Sequence, residues 1–290
     1  MYSTVIEVAA AIFDNGIIIS SSVLLMALGL SLIFGVLDVV NLAHGALFTV
    51  GAFIAYFISV KFKMNFFAAL VLAVLAGFMI GLLLEKLIFF PLRKDLLSGI
   101  IAAFGLSFII EVLLGQIFGL DIKGVPPMVK RSFHLGPLRM DAQRILIIGF
   151  AALLATALII FIHRSRFGRA IRAVAQNSEL SLLMGINTSF IRLLTFGIGI
   201  SLAMSAGVLM SSITYIDPYI GGELLIEAFA AIILGGLGSI YGSIVGSLVV
   251  GFLMAAGLFF FSAWAYAILF GAIVVVLVIR PQGIIPFESG

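Results

Sequence analysis

Apolar residues run along this chain in long blocks, not in alternation. Blocks near 17–37, 45–60, 66–90, 98–120, 143–162, 193–215, 223–234, 243–261 and 263–279 carry few charges. Blocks of this length predict helices, and roughly 20 apolar residues span the ~30 Å hydrocarbon layer of a bilayer. A transmembrane barrel needs alternating segments of about ten residues, which are absent here. The pattern predicts an all-α polytopic membrane protein with about eight transmembrane helices (seven to ten), some of them broken or half-length. Residues 4–13 read as a short extra helix ahead of the first span.

Two places interrupt the pattern. Residues 37–45 split an apolar stretch, 17–60, that is too long for one helix in one bilayer. Asn41 there can cap the helix that follows. The second interruption is 218–239, where Pro218 to Gly222 and Gly235 to Ser239 bracket an apolar piece, 223–234. At about 18 Å that piece is too short to cross, so it predicts a half-helix. Glu223 would lie in its first turn, suited to the helix dipole, with Glu227 one turn on. Discontinuous helices in both halves of a chain are a pointer to a translocation site. An ordinary surface loop remains the alternative at each break.

Composition narrows the class. Of 290 residues 63% are apolar and 10% charged, against about 25% charged in a soluble domain. A soluble enzyme is excluded. With no cysteine there is neither a disulfide nor a Cys-based metal site, and no metal ligand set is expected. Met1 to Asn15 carries Glu7 and Asp14 but no basic residue, unlike a cleaved signal peptide. Arg164, Arg166, Arg169, Arg172 and Arg192 cluster against a single Glu179, which places 164–192 on the cytoplasmic side. Arg93 and Lys94 fall on the same side. The loop 121–142 then faces out, although Lys123, Lys130, Arg131 and Arg139 run against the rule; Pro126, Pro127 and Pro137 mark it as structured.

Residues able to carry chemistry are few. His44 stands alone in an apolar context, either a substrate or proton site or a hydrogen-bonded helix start. Glu111 sits inside an apolar block, where a carboxylate is a functional candidate by default, or else is paired within the bundle. Gly238, Gly242 and Gly246 recur every four residues and predict a small-residue packing stripe. Their spacing misses a dinucleotide fingerprint by one residue, and no strand precedes them. No phosphate-binding loop, metalloprotease or hydrolase motif is present, so any ATP hydrolysis must lie on another polypeptide. In the 164–192 stretch, Asn177 predicts an N-cap, Glu179 a first-turn acid and Gly185 a C′ residue. These define a short helix, 178–184, whose leucines and Met184 seek either a protein groove or the lipid surface.

Three motifs carry a family resemblance. RFGRAIRAVAQNSE (166–179) with Met184, Gly185 and Ile186 resembles the coupling segment of the LivH/LivM permeases, the membrane subunits of ABC importers for branched-chain amino acids. VNLAHG (40–45) is similar to that family's Asn-Phe-Ala-His-Gly motif, with Leu42 in place of the usual Phe. EAFAAIILGGLGS (227–239) resembles its Gly-rich second-half segment, and the likeness runs over about 14–286.

The resemblance implies one transmembrane permease domain, 1–290, in a bacterial or archaeal cytoplasmic membrane, with a cytoplasmic coupling segment at 164–192. It implies a pore shared with a second, homologous permease, two cytoplasmic ATPases holding ATP and Mg, and an extracytoplasmic binding protein. This chain itself would bind no cofactor and no nucleic acid. Arg169, Arg172, Ala175, Asn177, Glu179, Leu183 and Gly185 are the expected ATPase-coupling residues. Asn41, His44, Gly45, Glu111, Glu223 and Glu227 are the translocation-path candidates. The cargo would be leucine, isoleucine or valine, with urea, short amides or other amino acids as alternatives. An ion-coupled secondary transporter, a passive channel and a membrane-embedded enzyme are competing readings; only the importer requires the coupling helix.

Overall fold

The computed structural model describes residues 2–93, 95–129, 131–135 and 138–285; Lys94, Lys130 and Pro137 lie outside them. The chain folds as α1 (Tyr2–Leu37), α2 (His44–Tyr56), α3 (Phe66–Leu84), the single turn α4 (Phe90–Leu92) and α5 (Leu96–Phe118). A hairpin of β1 (Ser132–Leu135) and β2 (Leu138–Asp141) follows. Then come α6 (Ala142–Arg164), α7 (Arg166–Gln176), α8 (Ser178–Leu183), α9 (Thr188–Met210), α10 (Ile220–Gly235), α11 (Ile240–Phe261) and α12 (Ala265–Ile279). Wide π-helical turns extend α2 through Phe57–Lys61 and α3 through Glu85–Phe89.

Seven stretches are long and apolar enough to cross a membrane. The last, Ile240–Ile279, is broken by the 3-10 turn Ser262–Trp264 into α11 and α12, and the count of seven lies within the seven to ten that the sequence predicts. Helix starts follow local capping chemistry. Asn65, Asp95, Asn187 and Ser239 each accept a hydrogen bond from a backbone N–H two or three residues on, opening α3, α5, α9 and α11. The Asp95 carboxylate also accepts from Ser98 Oγ at 2.5 Å, which holds its pKa below the usual carboxylate range. Within α1, Ser20 and Ser21 return their hydroxyl protons to carbonyls one turn back, so those two hydroxyls are not left bare in the apolar interior.

Helices α1 and α9 form the core. α1 packs against α6, α9, α10 and α11, and α9 packs against α2 and α3. At the end opposite the arginine cluster, Asp14 on α1 pairs with Arg144 at the start of α6.

Three sequence expectations are corrected. Residues 4–13 are not a separate helix but the first part of one 36-residue α1, because neither Gly16 nor any proline interrupts it. The half-helix is longer than 223–234: Ile220, Gly221, Gly222 and Gly235 join it, giving 16 residues. At about 24 Å it remains shorter than a full span. Gly238 is not on the packing stripe. It sits at φ +78 in the turn before α11 and meets Gly35 of α1, so the stripe begins at Gly242. From there Gly242 packs on Gly235, and Gly246 on Ala231.

Candidate functional site

The two interruptions meet. Asp38 takes the left-handed φ of +53 and ends α1. The chain then turns back, with Asn41 Oδ1 accepting from the Ala43 N–H at 3.1 Å, and α2 begins at His44. The His44 ring lies beside Gly29 of α1 and Gly199 of α9. Gly199 is eleven residues from either end of α9, so α2 starts near mid-depth. It runs from there toward the end where Phe53, Tyr56 and Phe57 surround Phe118 of α5. Helix α10 starts at the same place and runs the other way, toward the arginine-rich end.

Gly45 and Gly221 are the point of contact. A Cβ on either would overlap the carbonyl of the other, so only glycine permits the approach. The Gly221 N–H donates to Thr49 Oγ1 at 3.1 Å, and that hydroxyl donates to the Gly45 carbonyl at 3.3 Å. Two helix N-termini therefore converge inside the membrane, each with its positive dipole end. Glu223, in the first turn of α10, is placed to offset part of that charge.

The path candidates separate by burial. Asn41 and His44 are fully buried, and neither His44 ring nitrogen has a hydrogen-bond partner among the described residues. Glu227 is buried and accepts from Tyr266 of α12 at 3.4 Å, which makes it a tie between helices. Glu223 is exposed on the surface of the chain. Glu111 is not inside the bundle; it is half-exposed on α5 and accepts from Ser107 Oγ at 2.9 Å.

The arginine-rich end forms a second constellation. Ser165 caps α7, and Asn177 caps α8 by accepting from the Leu180 N–H at 2.9 Å. Gly185 ends α8 at φ +83. Arg172 turns inward and donates to the Ile162 carbonyl at 2.7 Å, closing the last turn of α6. It therefore anchors the segment instead of presenting its charge outward, whereas Arg169 and Glu179 are exposed and Ala175 is half-buried. Leu183 and Met184 are 82% and 83% exposed, with Leu180 and Leu182 about 60%. Sequence reasoning missed two supports. Arg192 donates to Ser178 Oγ at 2.9 Å, tying α9 to the first residue of α8. Glu85, 1% exposed, pairs with Arg93 at 2.7 Å within electrostatic reach of Arg192. Glu85 is eight residues from Arg93, and no helical i,i+3 or i,i+4 spacing announces the pair.

Seven stretches able to cross a membrane, two helix starts that meet at Gly45 and Gly221, and an anchored apolar helix outside the spans define a multi-pass membrane protein. The chain belongs to the family described as branched-chain amino acid transport system / permease component, whose model matches residues 12–278. It is 33% identical to the high-affinity branched-chain amino acid transport system permease protein BraD of Pseudomonas aeruginosa, over 93% of this chain and 94% of that one. It is 31% identical to the corresponding protein LivH of Escherichia coli K12, over 93% of each. A probable LivH of Methanocaldococcus jannaschii matches at 29% over 83% of this chain and 78% of the relative.

Proposed function

We propose that this chain is the pore-forming membrane subunit of an ATP-driven importer for leucine, isoleucine and valine in a prokaryotic cytoplasmic membrane. It is not itself an enzyme. ATP is bound and hydrolysed on separate subunits that grip α8, a second family permease completes the pore, and an extracytoplasmic binding protein delivers the amino acid. The α5–α6 loop and the 211–219 segment, at the end opposite α8, form the surface for that delivery.

The observation that carries this reading is α8. A six-residue helix, capped by Asn177, closed by Gly185 and tied to α9 by Arg192, projects Leu182, Leu183 and Met184 away from the membrane-spanning helices. A rigid apolar tip of this kind fits a groove in a soluble partner. Neither an ion-coupled transporter nor a channel needs it. ATP binding would close the two ATPases and displace α8 as a lever, and α9 would pass the movement to the half-helices at Gly45 and Gly221.

The test is uptake of labelled leucine, isoleucine and valine into proteoliposomes holding the whole transporter with ATP inside. ATP-dependent accumulation that disappears in Leu183→Asp supports the reading. Accumulation without ATP, or driven by an ion gradient, refutes it.

A further inference from the structure

Helices α3 and α6 both pack on α9 but make little contact with each other. Toward the end opposite the arginine cluster the two walls are joined by Phe67 and Phe150, whose rings meet at 5.5 Å. From there toward the arginine-rich end the walls part, and a cleft of about 340 Å³ opens between them. Leu75 and Phe78 line one wall, Ala157 and Phe161 the other, and Ser201 and Ser205 of α9 lie on the floor. Leu75 and Ala157 are exposed.

The chemistry of the lining selects hydrocarbon. Ser201 Oγ lies 2.9 Å from the carbonyls of both Val74 and Gly197, and Ser205 Oγ donates to the Ser201 carbonyl at 2.6 Å. The floor hydroxyls are therefore spent within the chain, and a polar solute would find no partner for its own groups. Ala157 and Phe161 lie seven and three residues before Arg164, the last residue of α6. At about 10 and 5 Å from that end, the cleft occupies the leaflet next to the arginine-rich surface. A membrane-spanning helix from another protein could not run its length along the cleft, because the Phe67–Phe150 pair closes one end. A chain that enters from one leaflet and stops at mid-depth could.

The open end is cationic. Lys86 is eleven residues past Leu75, three helical turns on and so on the same face of that wall. Arg164 is seven residues past Ala157, two turns on along the other wall. Both are exposed, and neither takes part in an ion pair among the described residues. Glu85, beside Lys86 in the chain, is buried and committed to Arg93. Two unopposed cations thus stand at the headgroup level of an apolar cleft, the arrangement by which basic pockets between membrane helices hold anionic headgroups.

We propose that this cleft is a binding site for one anionic phospholipid of the leaflet on the arginine-rich side. An acyl chain fills the space between α3 and α6, and the phosphate group sits between Lys86 and Arg164. The inference does not depend on the importer reading.

The test places the full-length chain in phosphatidylcholine vesicles that contain a small fraction of phosphatidylglycerol or phosphatidylcholine bearing a diazirine on one acyl chain. After illumination the labelled peptides are mapped by mass spectrometry. Labelling of 74–78 and 154–161 by phosphatidylglycerol about tenfold above phosphatidylcholine is expected, the scale for two basic residues at a membrane surface. In the double variant Lys86→Gln, Arg164→Gln that excess should vanish. Ala157→Trp fills the cleft but keeps both cations, and should remove the labelling by either lipid. Equal labelling by the two lipids in the natural sequence overturns the proposal, as does an excess that survives the double variant. A benzoylphenylalanine at Leu75 in native membranes checks the occupant: capture of lipid agrees with the site, and capture of a polypeptide overturns it.

Discussion

Arg192 Nη2 donates a 2.9 Å hydrogen bond to Ser178 Oγ, joining the first turn of the core helix α9 to the first residue of the projecting helix α8. The guanidinium is half-buried within electrostatic reach of Glu85 and Arg93, which follow α3 in the chain. On the importer reading proposed above, a push on α8 would reach the centre of the bundle through this contact.

Arg192→Gln shortens and neutralises the joint. A hydrogen bond from a charged donor contributes about 1.5–3 kcal/mol. The expected result in reconstituted transporter is a roughly tenfold fall in amino acid moved per ATP hydrolysed, with ATPase turnover retained. Ser178→Ala should show a smaller loss of the same kind, and the double variant should lose no more than Arg192→Gln alone.

Leu183→Ala removes an 82% exposed side chain that is not part of the packed core among the described residues. Thermal stability of the isolated subunit should be unchanged. Affinity for the ATPase should fall by about 2 kcal/mol, the scale of an interface hot spot, or roughly 30-fold. Pull-down titration with the purified ATPase checks both the sign and the size.

The contact of α2 with α10 supplies a pair of matched substitutions. Gly221→Ala places a methyl group against the Gly45 carbonyl, whereas Gly222→Ala has no atom within 4 Å. Overpacking costs about 1–3 kcal/mol. Gly221→Ala should lower the melting temperature in detergent by several degrees and reduce uptake, and Gly222→Ala should do neither. Equal behaviour of the two would show that the half-helices do not touch.

Gly242→Leu tests the stripe between α10 and α11 in the same way. Its Cβ would meet the Gly235 carbonyl at 2.5 Å, in rigid backbone that cannot step aside. Yield of folded protein by size-exclusion chromatography should fall severely. Gly271→Leu on α12, with open space around it, should be tolerated.

Glu85→Ala leaves Arg93 without its buried partner. Breaking a buried pair from one side costs about 3–5 kcal/mol. Folded yield should drop sharply, and Glu85→Gln, which still accepts from Arg93, should recover part of it.

Long apolar blocks fixed the membrane class, the approximate number of spans and both breaks, since helix formation and bilayer insertion depend on local composition. The Asn177 cap, the Gly185 stop and the apolar tip of α8 were equally legible, because capping acts over three or four residues. Tertiary structure alone decided that Gly45 and Gly221 touch, that Gly238 leaves its stripe for a turn, that Arg172 faces inward, and that Glu85 finds Arg93. It also separated three carboxylates of similar sequence context, burying Glu227 against Tyr266 while leaving Glu223 exposed and Glu111 half-exposed. The physical reason is common to all of these. In a chain so uniformly apolar, hydrophobicity says that a helix enters the membrane but not which side faces another helix. That orientation is set by close backbone approach at glycines and by the need to pair each polar group.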